Sequence, residues 1–294
     1  MSETGHTPVL LDAVINHLVH IDDTLVVDAT LGGGGHAYHL LERYRNLRLF
    51  GLDADEEALL RTGERLSQFG ERVILRQGNF RDLTTILEND HVGPVDAILL
   101  DLGISMYQIE GKRGFSFHDN VRLDMRMDNR QELTAFDVVN RYDYNRLKAI
   151  IEEYGEEKGA PKIARAILEA RKNGSVATAL DLARLVEQVK RRGGKIHPAT
   201  KTFQALRIEV NNELESLKMG LDAAVRALKP GGRVGVISFH SLEDRIVKRF
   251  FQSSDRLQVL TKKAIQPDRD ELRRNRRARS AKLRIAEKMT GADD

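Results

Sequence analysis

Three aspartates and a run of glycines are the residues whose types and spacing could do chemistry. Asp28 precedes four consecutive glycines, Gly32 to Gly35, and His36 follows them. A glycine turn between a strand and a helix lets a ligand reach bare backbone N–H groups, because no Cβ holds it away. Gly32, Gly34 and Ala37 satisfy the loose dinucleotide pattern G-x-G-x-x-G/A. The same letters also describe a tight turn that merely needs positive φ, so the neighbours must decide. No Lys-Ser or Lys-Thr follows the glycines, which excludes a triphosphate P-loop. Asp53 lies about 20 residues past the turn, where a carboxylate can accept hydrogen bonds from ribose hydroxyls. A third acid, Asp101, ends a later apolar run, and Leu228-Lys229-Pro230-Gly231-Gly232 enters the one after it. That layout is similar to class I S-adenosylmethionine-dependent methyltransferases, and it favours that donor over NAD. The glycines then face the methionine part of the cofactor, and Asp28 can orient their loop or meet the ammonium through water.

These acids need a scaffold that brings them to one edge. Strands are expected at residues 25–30, 48–53, 72–77 and 95–102, alternating with helices at 36–44, 56–69 and 81–87. Such alternation implies an α/β fold, Rossmann-like, with a mostly parallel sheet flanked by helices. Ligands of open α/β sheets bind outside the carboxyl ends of the strands, where all three acids fall. Near Ser105 the rhythm breaks. Residues 108–127 form a polar loop too long to be idle, and only helical patterns follow, at 134–140, 145–154, 160–172 and 179–191. Thr178 or Asp181 could cap the last of these. A long helix at 202–228, stopped by Pro230-Gly231-Gly232, leads back to a fifth strand at 233–239. Residues 257–260 and 282–286 suit a final antiparallel pair. The expected organisation is a core in two parts, 1–107 and 206–294, interrupted by an inserted all-helical domain for substrate recognition, 108–205. A helix at 9–20 covers a sheet edge, and residues 1–5 are expected to be disordered.

Composition narrows the class. With 294 residues, 41% hydrophobic and 31% charged, the chain suits a globular protein and not a disordered one. It has no basic leader and no run of about 18 apolar residues, so a cytoplasmic protein without membrane partners is expected. The absence of cysteine excludes disulfides, thiolate metal sites and a cysteine nucleophile. No His or carboxylate cluster has metal-ligand spacing, and no metal is expected. Net charge is only +3, yet residues 262–288 hold eleven Lys or Arg against four Asp or Glu. A second basic stretch comprises Lys190, Arg191, Arg192, Lys195 and Lys201. Such blocks bind phosphate backbones or serve as solvated faces.

Without a thiolate, methylation of a pyrimidine carbon through a covalent adduct is closed. The acceptor is then a heteroatom: an exocyclic amine, a hydroxyl or a carboxylate. Transfer from a sulfonium to such an atom is an in-line displacement governed by alignment. An aromatic amine needs an acceptor for its hydrogens, and Asp101, the carbonyls of residues 102–104 and Ser105 are placed to supply one. A base presented by a nucleic acid would have to be unstacked.

Eight stretches carry a more specific resemblance: residues 6–14 (HTPVLLDAV), 28–36 (DATLGGGGH), 99–105 (LLDLGIS), 113–117 (RGFSF), 123–128 (LDMRMD), 197–214 (HPATKTFQALRIEVNNEL), 237–248 (ISFHSLEDRIVK) and 279–287 (RSAKLRIAE). From end to end the chain resembles the bacterial ribosomal RNA small-subunit methyltransferase H family. The resemblance implies N4-methylation of a cytidine in the decoding region of 16S rRNA, met within the small ribosomal subunit, and a helical domain inserted in the methyltransferase fold. By motif position it assigns cofactor contacts to Gly34, Gly35, His36, Asp53, Phe80, Asp101 and Gln108, with Phe80 suited to stacking on adenine or to plain core packing. Family members often carry Ser-Pro-Gln-Leu-Asp where this chain has Met106-Tyr107-Gln108-Ile109-Glu110, and Asp-Gly-Pro where it has Asn120-Val121-Arg122.

Expected substrate contacts are Arg113, Arg122 and Arg126 to phosphate, unless they are exposed loop charge, Phe115 or Phe117 stacking a flipped base or anchoring the loop on the core, and His240, which alternatively caps the next helix through Ser241. Asp101 and Ser105 are the expected catalytic pair, positioning the amine. Other readings stay open at this stage: a methyltransferase of another nucleic-acid amine, or an inactive RNA-binding assembly factor. Asp101-Leu102-Gly103-Ile104 differs from the Asp-Pro-Pro-Tyr usual in DNA-amine enzymes. The sequence leaves the choice between monomer and homodimer open.

Overall fold

Short runs of β-branched and leucine residues build the frame: β1 (Leu25–Asp28), β2 (Arg48–Asp53), β3 (Val73–Gln77), β4 (Val95–Asp101), β5 (Leu228–Ser238), β6 (Leu257–Val259) and β7 (Lys282–Lys288). The structure is a computed structural model and describes residues 8–190 and 196–291. Residues 1–5, His6 and three of the mid-chain basic residues, Arg191, Arg192 and Lys195, lie outside the described residues. Two units divide the chain: Met1–Gly103 with Leu214–Asp294, and Ile104–Glu213.

In the first unit the strands form one sheet in the order β3-β2-β1-β4-β5-β7-β6. Neighbours from β3 to β5 run parallel, and β7 is antiparallel to both β5 and β6. Alternate residues feed opposite faces, as the two-residue period of a strand requires. Val27, Ile98 and Leu100 join one core with Leu83, Leu221 and Val247. Val26, Ala97 and Leu99 join the other with Val14, Leu18 and Leu40. Both faces are covered, and so β4 reads as a continuous apolar run.

Two elements differ from expectation. The single helix expected at 202–228 is two, Thr200–Asn211 and Glu213–Ala227. Asn212 between them is left-handed, φ 49° and ψ 41°, a conformation that asparagine tolerates better than most residues. The fifth strand begins at Leu228, which pairs with Val95; Pro230-Gly231-Gly232 forms a bulge before Arg233 pairs with Ala97. Gly231 there has φ 80°.

The second unit packs five helices, Ala135–Arg141, Tyr144–Glu153, Ala160–Arg171, Ala179–Val189 and Thr200–Asn211, around Leu123, Val139, Ile151, Ile163, Leu182 and Leu206. Thr178 and Asp181, offered as alternative caps, act together: each side chain accepts or receives the other's backbone bond in a reciprocal box. The insertion starts at Ile104 instead of 108, because β4 ends at Asp101 and Gly103 (φ 104°) turns the chain away. It ends at Glu213 instead of 205, because Phe203, Leu206 and Val210 bury their side chains in its core. No helix among the described residues is long and apolar enough to cross a membrane.

Candidate cofactor site

The site begins where β1 ends. The Ala29 N–H still donates to Leu99 of β4, and Leu31 N–H donates to Leu52 of β2, both at 2.9 Å. Gly32 (φ 51°) and Gly34 (φ 66°) then turn the chain into the helix Gly35–Arg43. The turn is held from outside. Gly32 N–H donates to Asp53 Oδ2 at 2.7 Å, Thr62 Oγ1 donates to the Gly32 carbonyl at 2.7 Å, and Arg65 Nη1 to the Gly33 carbonyl at 2.7 Å. A Cβ on Gly34 would lie 2.4 Å from Thr62 Cγ2, and one on Gly35 2.6 Å from Pro8 Cγ. No side chain caps this helix, so its first N–H groups lack an intrahelical partner and suit an anionic group.

The acids gather at the ends of β1, β2 and β4. Asp28 is 2% exposed and accepts one long bond, from Thr30 N–H at 3.3 Å. Burial pushes its carboxyl up to about 7; His36 opposes that shift and Asp101 adds to it. Burial also raises Asp53 to about 6, against the N–H groups of Asp55 (2.9 Å) and Gly32 that favour its charged form. Thr30 Oγ1 accepts the Asp101 N–H at 2.6 Å, tying the first turn to the end of β4. His36 is buried, with Nε2 3.5 Å from Asp101 Oδ2. Neither His36 nitrogen nor Asp101 Oδ1 has a hydrogen-bond partner among the described residues. Buried polar atoms are rarely left so, and a ligand is the ordinary reason.

Phe80 opens the 3₁₀ turn Phe80–Asp82 after β3, capped by Asn79, whose Oδ1 accepts Arg81 N–H at 3.0 Å. Its ring packs against Gly220, where a Cβ would come within 2.3 Å of Phe80 Cδ2. At least one edge of this ring therefore serves the core. Thr62 and Arg65, which fix the glycine turn, were not singled out from the sequence; nothing local marks a residue thirty positions away as a turn support.

His240 is the N-cap of the helix Ser241–Ser253, the capping alternative, made by its own ring and not through Ser241. Its Nδ1 accepts Glu243 N–H at 3.4 Å, while Glu243 Oε2 accepts the N–H groups of Phe239 (2.8 Å) and His240 (3.2 Å).

The remaining expected residues belong to the second unit. Ser105 and Gln108 form a capping box on the helix Met106–Glu110: Ser105 Oγ accepts Gln108 N–H at 3.2 Å, and Gln108 Oε1 accepts Ser105 N–H at 3.0 Å. The S-x-x-Q spacing was a readable signal for this box. Arg126 is partly buried and held by partners in its own unit. It grips both oxygens of Asp124 at 2.8 Å and donates to the carbonyls of Asn129 and Gln131. Arg113 donates to the carbonyls of Arg126 and Met127 at 3.3 Å. Phe115 is buried in the helical core, as the loop-anchoring alternative has it. Phe117 stacks on His197 with ring centroids 4.2 Å apart. Arg122 is exposed and lies over the Phe136 ring at 4.7 Å.

The strand order with its reversed β7, the glycine turn after β1 and the strand-end acids define a class I methyltransferase. S-adenosylmethionine is its methyl donor. Residues 3–289 match the MraW methylase family, and the chain belongs to that family. It is 49% identical over 290 residues to "Ribosomal RNA small subunit methyltransferase H" of Persephonella marina, covering 97% of this chain and 99% of the relative. Proteins of the same name from a Sulfurihydrogenibium species and from Carboxydothermus hydrogenoformans are each 46% identical, with 97% and 99% of this chain covered and 99% and 100% of theirs.

The residues present fit that donor. It carries an ammonium, a sulfonium and a carboxylate at its methionine end, and ribose hydroxyls beyond. Buried carboxylates with open lone pairs complement the cations, uncapped N–H groups suit the carboxylate, and Asp53 is an acceptor for the hydroxyls.

Proposed function

We propose that this chain transfers a methyl group from S-adenosylmethionine to the N4 amine of a cytidine in the decoding region of 16S rRNA, within the small ribosomal subunit. The observation that carries the reading is Asp101: a strand-end carboxylate with one buried oxygen left without a partner, beside a buried imidazole. The names of the curated relatives support the RNA substrate. When bound, the donor supplies an electrophilic methyl on sulfur.

Asp101 accepts a hydrogen bond from the cytidine amine, which localises the nitrogen lone pair that the ring otherwise delocalises. As the N–C bond forms and the sulfur–methyl bond breaks, leaving a neutral thioether, the amine acidifies and Asp101 takes up its proton. His36 Nε2 lies 3.5 Å from the other Asp101 oxygen, close enough to favour the carboxylate when the imidazole is protonated. Asp28 balances the positive charge at the methionine end. Gly34 and Gly35 let the turn pack against Thr62 and Pro8, which sets the helix N–H groups toward the cofactor, and Phe80 borders the adenine. Arg122 and His240 are the remaining candidates for RNA contact.

The test is incubation with labelled S-adenosylmethionine and either free 16S rRNA or small subunits from an unmodified strain, followed by nucleoside analysis. Labelled N4-methylcytidine supports the reading. Label on another base amine, or none with a competent substrate, overturns it.

A further inference from the structure

The segment leading into β7 holds six arginines in eleven residues, Arg269, Arg273, Arg274, Arg276, Arg277 and Arg279, and all six are exposed. Its inner side is well anchored. In the 3₁₀ helix Arg276–Ser280, three residues make a turn, so Asn275, Ala278 and Ala281 share one face, and all three are buried. Arg276 and Arg279 share a second face and Arg277 lies on the third, both turned outward. Leu272 packs on the same core, and Glu271 Oε1 accepts Leu10 N–H at 2.6 Å.

Few acids answer these cations. Arg273 meets Asp270 at 3.4 Å, an exposed pair worth little. Arg269, Arg276, Arg277 and Arg279 have no ion pair among the described residues. By contrast, Lys282 and Arg284 just beyond are both committed to Asp244, at 2.8 and 2.7 Å. Holding like charges together without counter-ions costs free energy, which an anionic partner would offset.

Register places the segment. β7 is antiparallel, so its first residue, Lys282, sits opposite Ser238, the last residue of β5. Next to it Ile237 pairs with Asp101. The arginines therefore lie at the sheet edge where Asp28, Asp53 and Asp101 end. The Leu10–Glu271 bond also ties them to the chain around Pro8, which packs on Gly35.

We infer that Arg276, Arg277 and Arg279, with Arg269, Arg273 and Arg274 beside them, form a docking surface for an RNA phosphodiester backbone at the active edge. The inference rests on the proposed function for the kind of polymer, not for the surface itself. Arginine's planar fork matches phosphate oxygens. An anionic membrane fits less well, because interfacial segments insert apolar side chains. Exposed large apolar residues among those described are Ile21, Leu60, Ile196, Met219, Leu260 and Met289, none of them within 269–281.

The experiment compares the full chain with an Arg276→Ala/Arg277→Ala/Arg279→Ala variant. Binding to a 16S rRNA fragment is followed from low to high salt, beside vesicles of phosphatidylglycerol. The variant should bind RNA roughly 10- to 100-fold more weakly, with a log–log salt slope shallower by about 2. Its affinity for S-adenosylmethionine and its melting temperature should match the parent, and in turnover KM for RNA should rise while kcat holds. Unchanged RNA affinity and slope overturn the inference, as does a loss confined to vesicle binding. If the triple variant melts early, Arg277→Gln is read the same way, by a slope shallower by less than one unit. Nucleoside analysis of the parent keeps the two claims apart. Arginine-dependent RNA binding without N4-methylcytidine sinks the function but supports the surface, and the converse result does the reverse.

Discussion

Gly32 donates its N–H to Asp53 Oδ2 at 2.7 Å, so the acid that closes β2 also shapes the turn after β1. The other oxygen accepts Asp55 N–H. Asp53→Ala removes both acceptors together with the proposed ribose contact. Calorimetry should show S-adenosylmethionine binding weakened by at least roughly tenfold, and urea unfolding a loss of about 1–3 kcal/mol. Unchanged affinity would place the ribose acid elsewhere.

Asp28 makes a prediction whose sign follows from burial. Its carboxyl is raised from 3.8 to about 7 in the fold, so the folded state holds a proton that the unfolded state releases. Stability therefore declines as pH rises between those values, and the full penalty is present above 7. Asp28→Asn keeps the shape without the charge. It should stabilise the ligand-free protein by about 2–4 kcal/mol at pH 8 and by clearly less at pH 5, on the scale of 1.36 kcal/mol per unit. Equal gains at both values would show that Asp28 is not a buried charge.

Cofactor binding should run the other way. A donor with two cations gains from ionised Asp28 and Asp53, whose carboxyls titrate near 7 and 6. Affinity should rise between pH 5 and 8, and Asp28→Asn should flatten the upper part of that rise. Calorimetry in buffers of different ionisation enthalpy should detect proton release on binding near pH 6.5; a flat profile with no released protons rejects the coupling.

Gly34 and Thr62 make a paired test. Gly34→Ala forces a Cβ to 2.4 Å from Thr62 Cγ2 at a left-handed position. It should unfold at lower temperature and bind cofactor poorly. Thr62→Ser deletes that methyl and keeps the hydroxyl that donates to the Gly32 carbonyl. The double variant should regain most of the loss, leaving about 1 kcal/mol of backbone strain. Strict additivity of the two changes would refute this account.

Asn211 clamps the long loop within the helical unit. Its Oδ1 accepts Met127 N–H at 2.7 Å, and Nδ2 donates to the carbonyls of Met125 (2.8 Å) and Arg207 (2.9 Å). Met125 needs such support, being left-handed at φ 59°. Asn211→Ala should cost about 2–4 kcal/mol and speed hydrogen exchange at residues 125–127. Exchange as slow as in the parent would show that the loop holds itself.

The sequence by itself determined much of the scaffold. Apolar runs and the caps between them located β2 to the residue and the four helices from 135 to 189 to within two, because side-chain period and capping are properties of a few neighbours. The glycine turn and the strand-end acids were legible for the same reason: a turn and a strand terminus are local events. Only the tertiary structure decided what those groups touch. Thr62 under Gly34, Pro8 against Gly35 and the His36–Asp101 pair are brought together by strand order, across gaps that no local pattern spans. The same holds for Arg126 and Phe115. Arginine and phenylalanine both suit RNA, yet Asp124 holds the one and the helical core buries the other. A side chain's partners depend on which distant segments arrive beside it, and that is set by packing the whole sheet and bundle.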